Sequence, residues 1–292
     1  MRLKALRNNI ELEQTSPAVL TVRCENVRAG WEQWILLSSD RHHDSVDSDN
    51  ALEKRHLDWA VDHDALVFDF GDLFDVMQGP GDKRAQKDKL KKGLQSQAYF
   101  NEAPKLAFED YKPYIDRWAL MGMGNHETSV MKYYNINLIQ SLVDKIHDND
   151  GITQMGGYGG WVRFQFVIQK TVRTSIRMKY NHGNGVSPQM TFGTLHIRRQ
   201  ASYLPDADIV VNGHIHDDFV IPLARERLSD GGEVFQDVSW YLRTPSYKDE
   251  YKDGANGWVI ERPGGPKPIG AIKGRFYFED GHIRSEFTAM LR

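Results

Sequence analysis

The chain has 292 residues, 37 basic and 40 acidic side chains, a formal charge of -3 and 40% hydrophobic residues. This is the make-up of a folded, soluble protein, and so balanced a charge excludes any global attraction to nucleic acid or to an anionic membrane. The single cysteine, Cys24, excludes an intrachain disulfide and thiolate-held zinc, and no run approaches about 18 apolar residues, so a cytoplasmic protein that does not span a membrane is expected.

Residues 1–30 mix short apolar runs such as Ala18-Val19-Leu20 with charges and read as an N-terminal extension or edge segment. Residues 31–292 read as a single domain whose C-terminal portion, 219–292, is β-rich. Trp34-Ile35-Leu36-Leu37 has the unbroken apolar character of a strand buried on both faces, and it ends at Ser38-Ser39-Asp40. From Asp49 to Asp62 a helix is predicted, with Leu52, Leu57, Ala60 and Val61 near one face. Ala65-Leu66-Val67-Phe68 is a second buried strand and also stops at a polar cluster, Asp69 to Asp75.

Residues 82–118 are polar, with Lys83, Arg84, Lys87, Lys89, Lys91 and Lys92 close together, followed by a helical stretch through Tyr114. That basic cluster has two readings, a solvated helix face or a surface for nucleic acid. Trp118-Ala119-Leu120-Met121 is a third strand, ending at Gly124-Asn125-His126-Glu127, and one helix is predicted from about Ser129 to Ile146. The period then changes from helical to alternating. Val162, Phe164, Phe166 and Ile168 share one side of a strand, and Val172, Thr174, Ile176, Met178 and Tyr180 one side of the next, which runs into His182-Gly183. A helix is predicted over Gly193 to Tyr203, then a strand over Ala207 to Val211 that ends at Gly213-His214-Ile215-His216. Arg275–Phe278 and Ile283–Phe287 form a hairpin around Asp280-Gly281.

Five apolar strands thus end in Asp, His or Asn, and in α/β sheets ligands bind outside the carboxyl ends of strands. Carboxylate, imidazole and carboxamide without thiolate suit borderline divalent metals such as Mn, Fe, Co, Ni or Zn rather than calcium. On an extended segment, residues two apart project to one side, so Asp40 with His42, and His214 with His216, are each expected to converge on a metal. Glycines before Asp72, Asn125 and His214 allow sharp turns and close approach.

From Asp40 to His216 these blocks read D-x-H, G-D-x-x-D, G-N-H-E, a lone H and G-H-x-H. In that order they resemble the calcineurin-like metallophosphoesterase superfamily, over roughly Trp31 to Phe219. The resemblance implies an α/β fold, a four-layered α/β/β/α sandwich of two face-packed mixed sheets. It implies two divalent metal ions, Mn foremost with Fe, Zn, Ni, Co or Mg as alternatives. One would be held by Asp40, His42 and His216, the other by Asn125, His182 and His214, with Asp72 bridging them. His126 is similar to the family's catalytic histidine that is not a ligand.

The implied reaction is hydrolysis of a phosphodiester or phosphomonoester by a metal-bridging hydroxide, with His126 as general acid. Two cations about 4 Å apart bring the pKa of a shared water down towards about 7, which supplies that nucleophile at neutral pH. Asp75 or Glu127 is expected to orient the imidazole or a ligand, and spacing does not say which. His43, Arg198 and Arg199 are candidate substrate contacts, and the substrate is expected to be a phosphoester, a nucleotide or nucleic acid among the options. A DNA-processing nuclease is the alternative, to be favoured if the basic cluster lines the metal cleft. A non-catalytic scaffold of the same fold ranks last, since all seven ligand positions and His126 are kept. Arg41 and His43 stand where the motif more often has apolar or small neighbours.

Overall fold

The computed structural model describes residues 4–7, 9–76, 89–96, 98–185, 193–252 and 265–292. Two mixed sheets form the body. The larger takes the order β1-β2-β3-β8-β9-β10-β12-β11, from β1 (Lys4–Arg7), β2 (Ile10–Ser16), β3 (Val19–Val27), β8 (Gly159–Ile168), β9 (Val172–Asn181), β10 (Ile209–Asn212), β12 (Val234–Arg243) and β11 (Phe219–Leu228). The smaller runs β14-β13-β4-β5-β6-β7, from β14 (His282–Leu291), β13 (Gly270–Glu279), β4 (Glu32–Ser38), β5 (Leu66–Asp69), β6 (Trp118–Met121) and β7 (Gln154–Met155).

The short apolar runs are unbroken because both of their faces are covered. Ile35, Leu37, Leu66 and Phe68 point between the sheets, where they meet Val22, Phe164, Phe166 and Val211 of the larger one. Leu36, Val67 and Trp118 point the other way, into a core built with α1 (Asn50–Asp62), α2 (Tyr99–Tyr111), α3 (Asn125–Tyr134) and α4 (Leu138–His147). On the far face of the larger sheet, Ile197 of α5 (Thr194–Tyr203) packs on Val210 and Tyr241. Helices, sheet, sheet and helix make the expected four layers, an α/β sandwich.

Residues read as an N-terminal segment are woven into the larger sheet: β3 pairs in parallel with β8, and Ile10, Leu12, Leu20, Val22 and Cys24 are buried between the sheets. The single helix predicted from about Ser129 to Ile146 is two helices. Asn135 takes a left-handed φ of 55° that ends α3, and Asn137 caps α4 by accepting from the Gln140 N–H at 3.0 Å. The β11–β12 hairpin was not legible in advance, whereas β13–β14 was, and it turns at Asp280 and Gly281 with φ of 49° and 82°. Two positive φ values in a two-residue loop suit the twist of the flanking strands. Among the described residues no helix is long and apolar enough to cross a membrane.

Candidate metal centre

Five strands bring the candidate ligands to one rim. β4, β5 and β6 are parallel, with Ser38 opposite Asp69 and Asp69 opposite Met121, while β9 and β10 are parallel with Asn181 opposite Asn212. The loops beyond these ends then bond across the gap between the sheets. The His214 N–H donates to Asp40 Oδ2 at 2.8 Å, and His182 Nδ1 pairs with the Phe70 carbonyl at 3.0 Å. Since Nδ1 of His182 must donate there, its Nε2 is left to face the site.

The local geometry corrects one expectation. Asp40 and His42 do not converge through strand alternation, because β4 has already ended at Ser38. Asp40, His42, Asp72, His214 and His216 have φ of 53°, 45°, 54°, 72° and 61°. Five of the seven ligand candidates therefore hold a left-handed backbone that costs energy in any residue with a Cβ, a concentration of strain typical of functional sites. The loops also touch so closely that side chains are excluded: a Cβ on Gly124 would lie 2.0 Å from Asp72 Oδ1, and one on Gly71 2.4 Å from the Gly124 nitrogen.

The ring atoms meet in two groups. Nε2 of His216 lies 3.5 Å from Nε2 of His42 and 3.3 Å from Asp40 Oδ1. Nε2 of His182 lies 3.1 Å from Asp72 Oδ2 and 3.1 Å from Asn125 Oδ1, and the centroids of the His182 and His214 rings are 5.3 Å apart. Ligand atoms of Asp40, His42 and His216 fall within 4.8 Å of one another, as do those of Asp72, His182 and His214. Asp40 Oδ1 is buried with no hydrogen-bond partner. Burial disfavours charge on His182, but Asp72 and Asp40 outweigh it and push the imidazole up to about 10; for His216, Asp40 and Glu250 do the same, to about 9. Anionic oxygens facing imidazole nitrogens that must otherwise hold protons form a donor set that fits divalent cations.

Several residues surround these ligands. His126 is 7% exposed, and its Nδ1 donates to the Asp75 carbonyl at 2.5 Å, which turns Nε2 towards Asp72 Oδ2, 3.6 Å away. Asp75 Oδ1 is 3.0 Å from His42 Nδ1, though off the line a hydrogen bond needs, and 3.0 Å from Lys248 Nζ. His42, Asp75 and His126 thus make a third close group. Glu127 clamps two loops together: its carboxylate accepts from the N–H groups of Phe74, Gly124 and Asp72 at 2.9, 2.9 and 3.1 Å. Burial and the charge of Asp72 push this carboxyl up to about 8, against the pull of its backbone donors.

Lys248 and Glu250 were missed by sequence reasoning. They lie in the segment after β12, where no motif marks them, and a charged stretch such as Tyr247-Lys248-Asp249-Glu250 reads as ordinary surface. Folding sets Lys248 Nζ 3.5 Å from Glu250 Oε1, while Glu250 Oε2 lies 3.7 Å from His216 Nδ1.

Of the three candidate substrate contacts, one is buried and two are exposed. His43 is buried with both nitrogens engaged, by Glu53 Oε2 and Asp110 Oδ2 at 2.9 Å each, so none is left for a phosphate. Arg198 and Arg199 are exposed on α5, whose buried side carries Ile197 and Gln200. The unusual Arg41 is fully buried and structural. It donates to Asp69, Glu53 and Ser38 at 2.9, 2.7 and 2.8 Å and lies between the rings of Trp118 and Tyr247. Of the basic cluster, Lys83, Arg84 and Lys87 lie outside the described residues, and Lys89 is paired with Asp47 at 2.9 Å.

No family model and no curated protein matches the chain. Solved structures do. Vacuolar Protein Sorting 29 from Cryptosporidium parvum is 13% identical, with 90% of this chain and 100% of that one covered, at a TM-score of 0.37. A conserved uncharacterized protein from Streptococcus pneumoniae, a predicted phosphoesterase, is 12% identical over 90% of this chain and 100% of that one, at 0.32. A candidate 5'-nucleotidase from Staphylococcus aureus is 10% identical over 89% of this chain and 54% of its own, at 0.46. Its ordered motifs, its two-sheet α/β sandwich and its cluster of His and Asp able to hold metal make this chain similar to the calcineurin-like metallophosphoesterases.

Proposed function

We propose that the chain is a dinuclear metal-dependent phosphoesterase acting on phosphodiesters or phosphomonoesters. The observation that carries this reading is the convergence of Asp40, His42 and His216 beside Asp72, His182 and His214. Asp40, His42 and His216 would hold one ion and Asn125, His182 and His214 the other, with Asp72 available to both. Mn is the first choice, and the all-oxygen-and-nitrogen donor set also suits Fe, Zn, Ni, Co or Mg. When bound, such a pair of cations neutralises phosphate oxygens and makes a nucleophile available from water at neutral pH.

The chain's own residues do the rest. The Asp75 carbonyl keeps a proton on Nδ1 of His126, so Nε2 is the atom that would take up a second proton and, from the imidazolium, pass it to the leaving oxygen. Burial holds the His126 pKa below the usual imidazole value, which favours release of that proton. Glu127 keeps the Asp72 and Asn125 loops at fixed separation. The N-terminus of α3, which begins at Asn125, would favour a phosphate bound beside it through the positive end of its dipole.

The test is turnover of an aryl phosphodiester with added Mn. His126→Ala should lower kcat by about 10²- to 10⁴-fold, and Asp72→Asn should lower both metal content and turnover. Wild-type rates in both variants would overturn the assignment.

A further inference from the structure

Among the described residues, two arginines rank with the largest fully buried side chains, Arg41 and Arg243. Their surroundings are opposite. Each guanidinium nitrogen of Arg41 has an oxygen acceptor, whereas Nε and Nη1 of Arg243, which is 1% exposed, have none. A buried cation with unmet donors is costly, and a fold keeps one where something else supplies the acceptor.

The neighbours of Arg243 indicate what that is. The carboxylate opposite it, Asp217 Oδ2, is 3.8 Å from Nη1, too far for a hydrogen bond, and the other oxygen of Asp217 is taken by Lys267. One side of the guanidinium rests on the ring of Phe219, 4.6 Å away. The other meets Gly193, where a Cβ would come within 2.8 Å of Nη2 and 2.9 Å of Nη1. Gly193 is the N-cap of α5, a ten-residue helix with no side-chain cap and hence with first-turn N–H groups unpaired within the helix. The positive end of a helix and a guanidinium with two unmet donors share one corner, with Asp217 the carboxylate at ion-pair distance. His196, in the first turn of α5, responds to this field: burial, Arg243 and Arg199 all press its pKa down.

This corner adjoins the metal centre. Arg243 ends β12 opposite Asn212 of β10, two residues before His214, and Asp217 directly follows His216. We propose that Arg243 and the N-terminus of α5 form an oxyanion subsite that receives a phosphate group of the substrate other than the one hydrolysed. Nε and Nη1 of Arg243 are each free to donate to an anionic oxygen, and the helix N–H groups supply further donors. As a statement about substrate, this rests on the phosphoesterase reading and narrows it to esters carrying a second phosphate, as nucleoside diphosphates and triphosphates do. As a statement about anion binding, it does not.

The two are separated by working first with metal-stripped protein. Inorganic phosphate is titrated calorimetrically and by shift of the unfolding midpoint, with acetate as the carboxylate arm. Wild type should bind phosphate and gain in midpoint, and Arg243→Met should lose both responses, with Arg243→Lys retaining part. Without phosphate, Arg243→Met should melt close to wild type, because only the Phe219 ring contact and the 3.8 Å approach of Asp217 are lost and no hydrogen bond of Nε or Nη1 is. No phosphate response in wild type, a response kept in Arg243→Met, or a stronger response to acetate than to phosphate would each overturn the subsite. The narrowing is tested with metal-loaded protein: Arg243→Met should cut kcat/KM for a substrate with two phosphates relative to one with a single phosphate by about tenfold or more. An equal loss on both substrates would overturn it.

Discussion

Glu53→Gln offers the sharpest test of how the metal loop is supported. The Glu53 carboxylate is 2% exposed and accepts from Arg41 Nη1 at 2.7 Å, Tyr111 Oη at 2.5 Å, His43 Nδ1 at 2.9 Å and Asn50 Nδ2 at 3.0 Å. Removing its charge leaves the buried Arg41 with one carboxylate, Asp69, which burial already pushes up to about 6 and which therefore gives up its charge readily. Breaking a buried pair by deleting one partner costs about 3–5 kcal/mol, because the surviving charge stays desolvated and unpaired. For a domain of this size that is a fall in melting midpoint on the order of 10 °C.

The assay is thermal and urea unfolding near neutral pH of wild type, Glu53→Gln, Arg41→Met and the double variant. Since the double variant strands no cation, it should be more stable than the sum of the single losses implies, by about 1–3 kcal/mol. Arg41 sits between Asp40 and His42, so Glu53→Gln should also weaken metal binding. A Glu53→Gln protein within about 1 kcal/mol of wild type, or losses that simply add, would refute the view that this network carries the loop.

Lys248→Met and Glu250→Gln should each weaken Mn binding by about 10- to 100-fold in competition with a chelator, with Lys248→Arg restoring part, since groups that orient metal-ligating histidines tune affinity on that scale. Wild-type affinity in both would show that facing His42 and His216 through Asp75 and Glu250 has no consequence. A pH effect is expected at His56, whose Nδ1 accepts from Tyr247 Oη at 2.9 Å and whose pKa is pushed down to about 4, first by burial and then by Arg41 and Arg55. Between that value and the ordinary 6.5 the unfolded chain binds more protons, so this contribution to stability is intact above 6.5 and is lost as pH falls towards 4. It amounts to about 3–4 kcal/mol, and His56→Gln should flatten the acid limb of stability against pH by that amount; an unchanged limb would refute it.

The sequence by itself determined which residues would stand at the strand ends. Runs such as Trp34 to Leu37 and Ala65 to Phe68 are apolar throughout because both faces are buried, a local signal, and the Asp, Asn and His that end them are read directly. The four layers were reached through motif order, and the structure has them. Asp75 and Glu127 were singled out, but only tertiary structure gave each its task, one facing His42 and His126, the other clamping backbone N–H groups.

What the sequence did not carry are consequences of packing between distant segments. Convergence of Asp40 with His42 depends on left-handed backbone held by contacts between loops of different strands, not on alternation within one. Asn135 ended a helix whose apolar spacing ran on. His43 was drawn away from the site by Glu53 and Asp110, partners 10 and 67 residues distant. Lys248, Glu250 and Arg243 reach the rim because β12 is inserted beside β10 in parallel. A charged residue's meaning is set by what lies opposite it, and that is fixed only when the two sheets close.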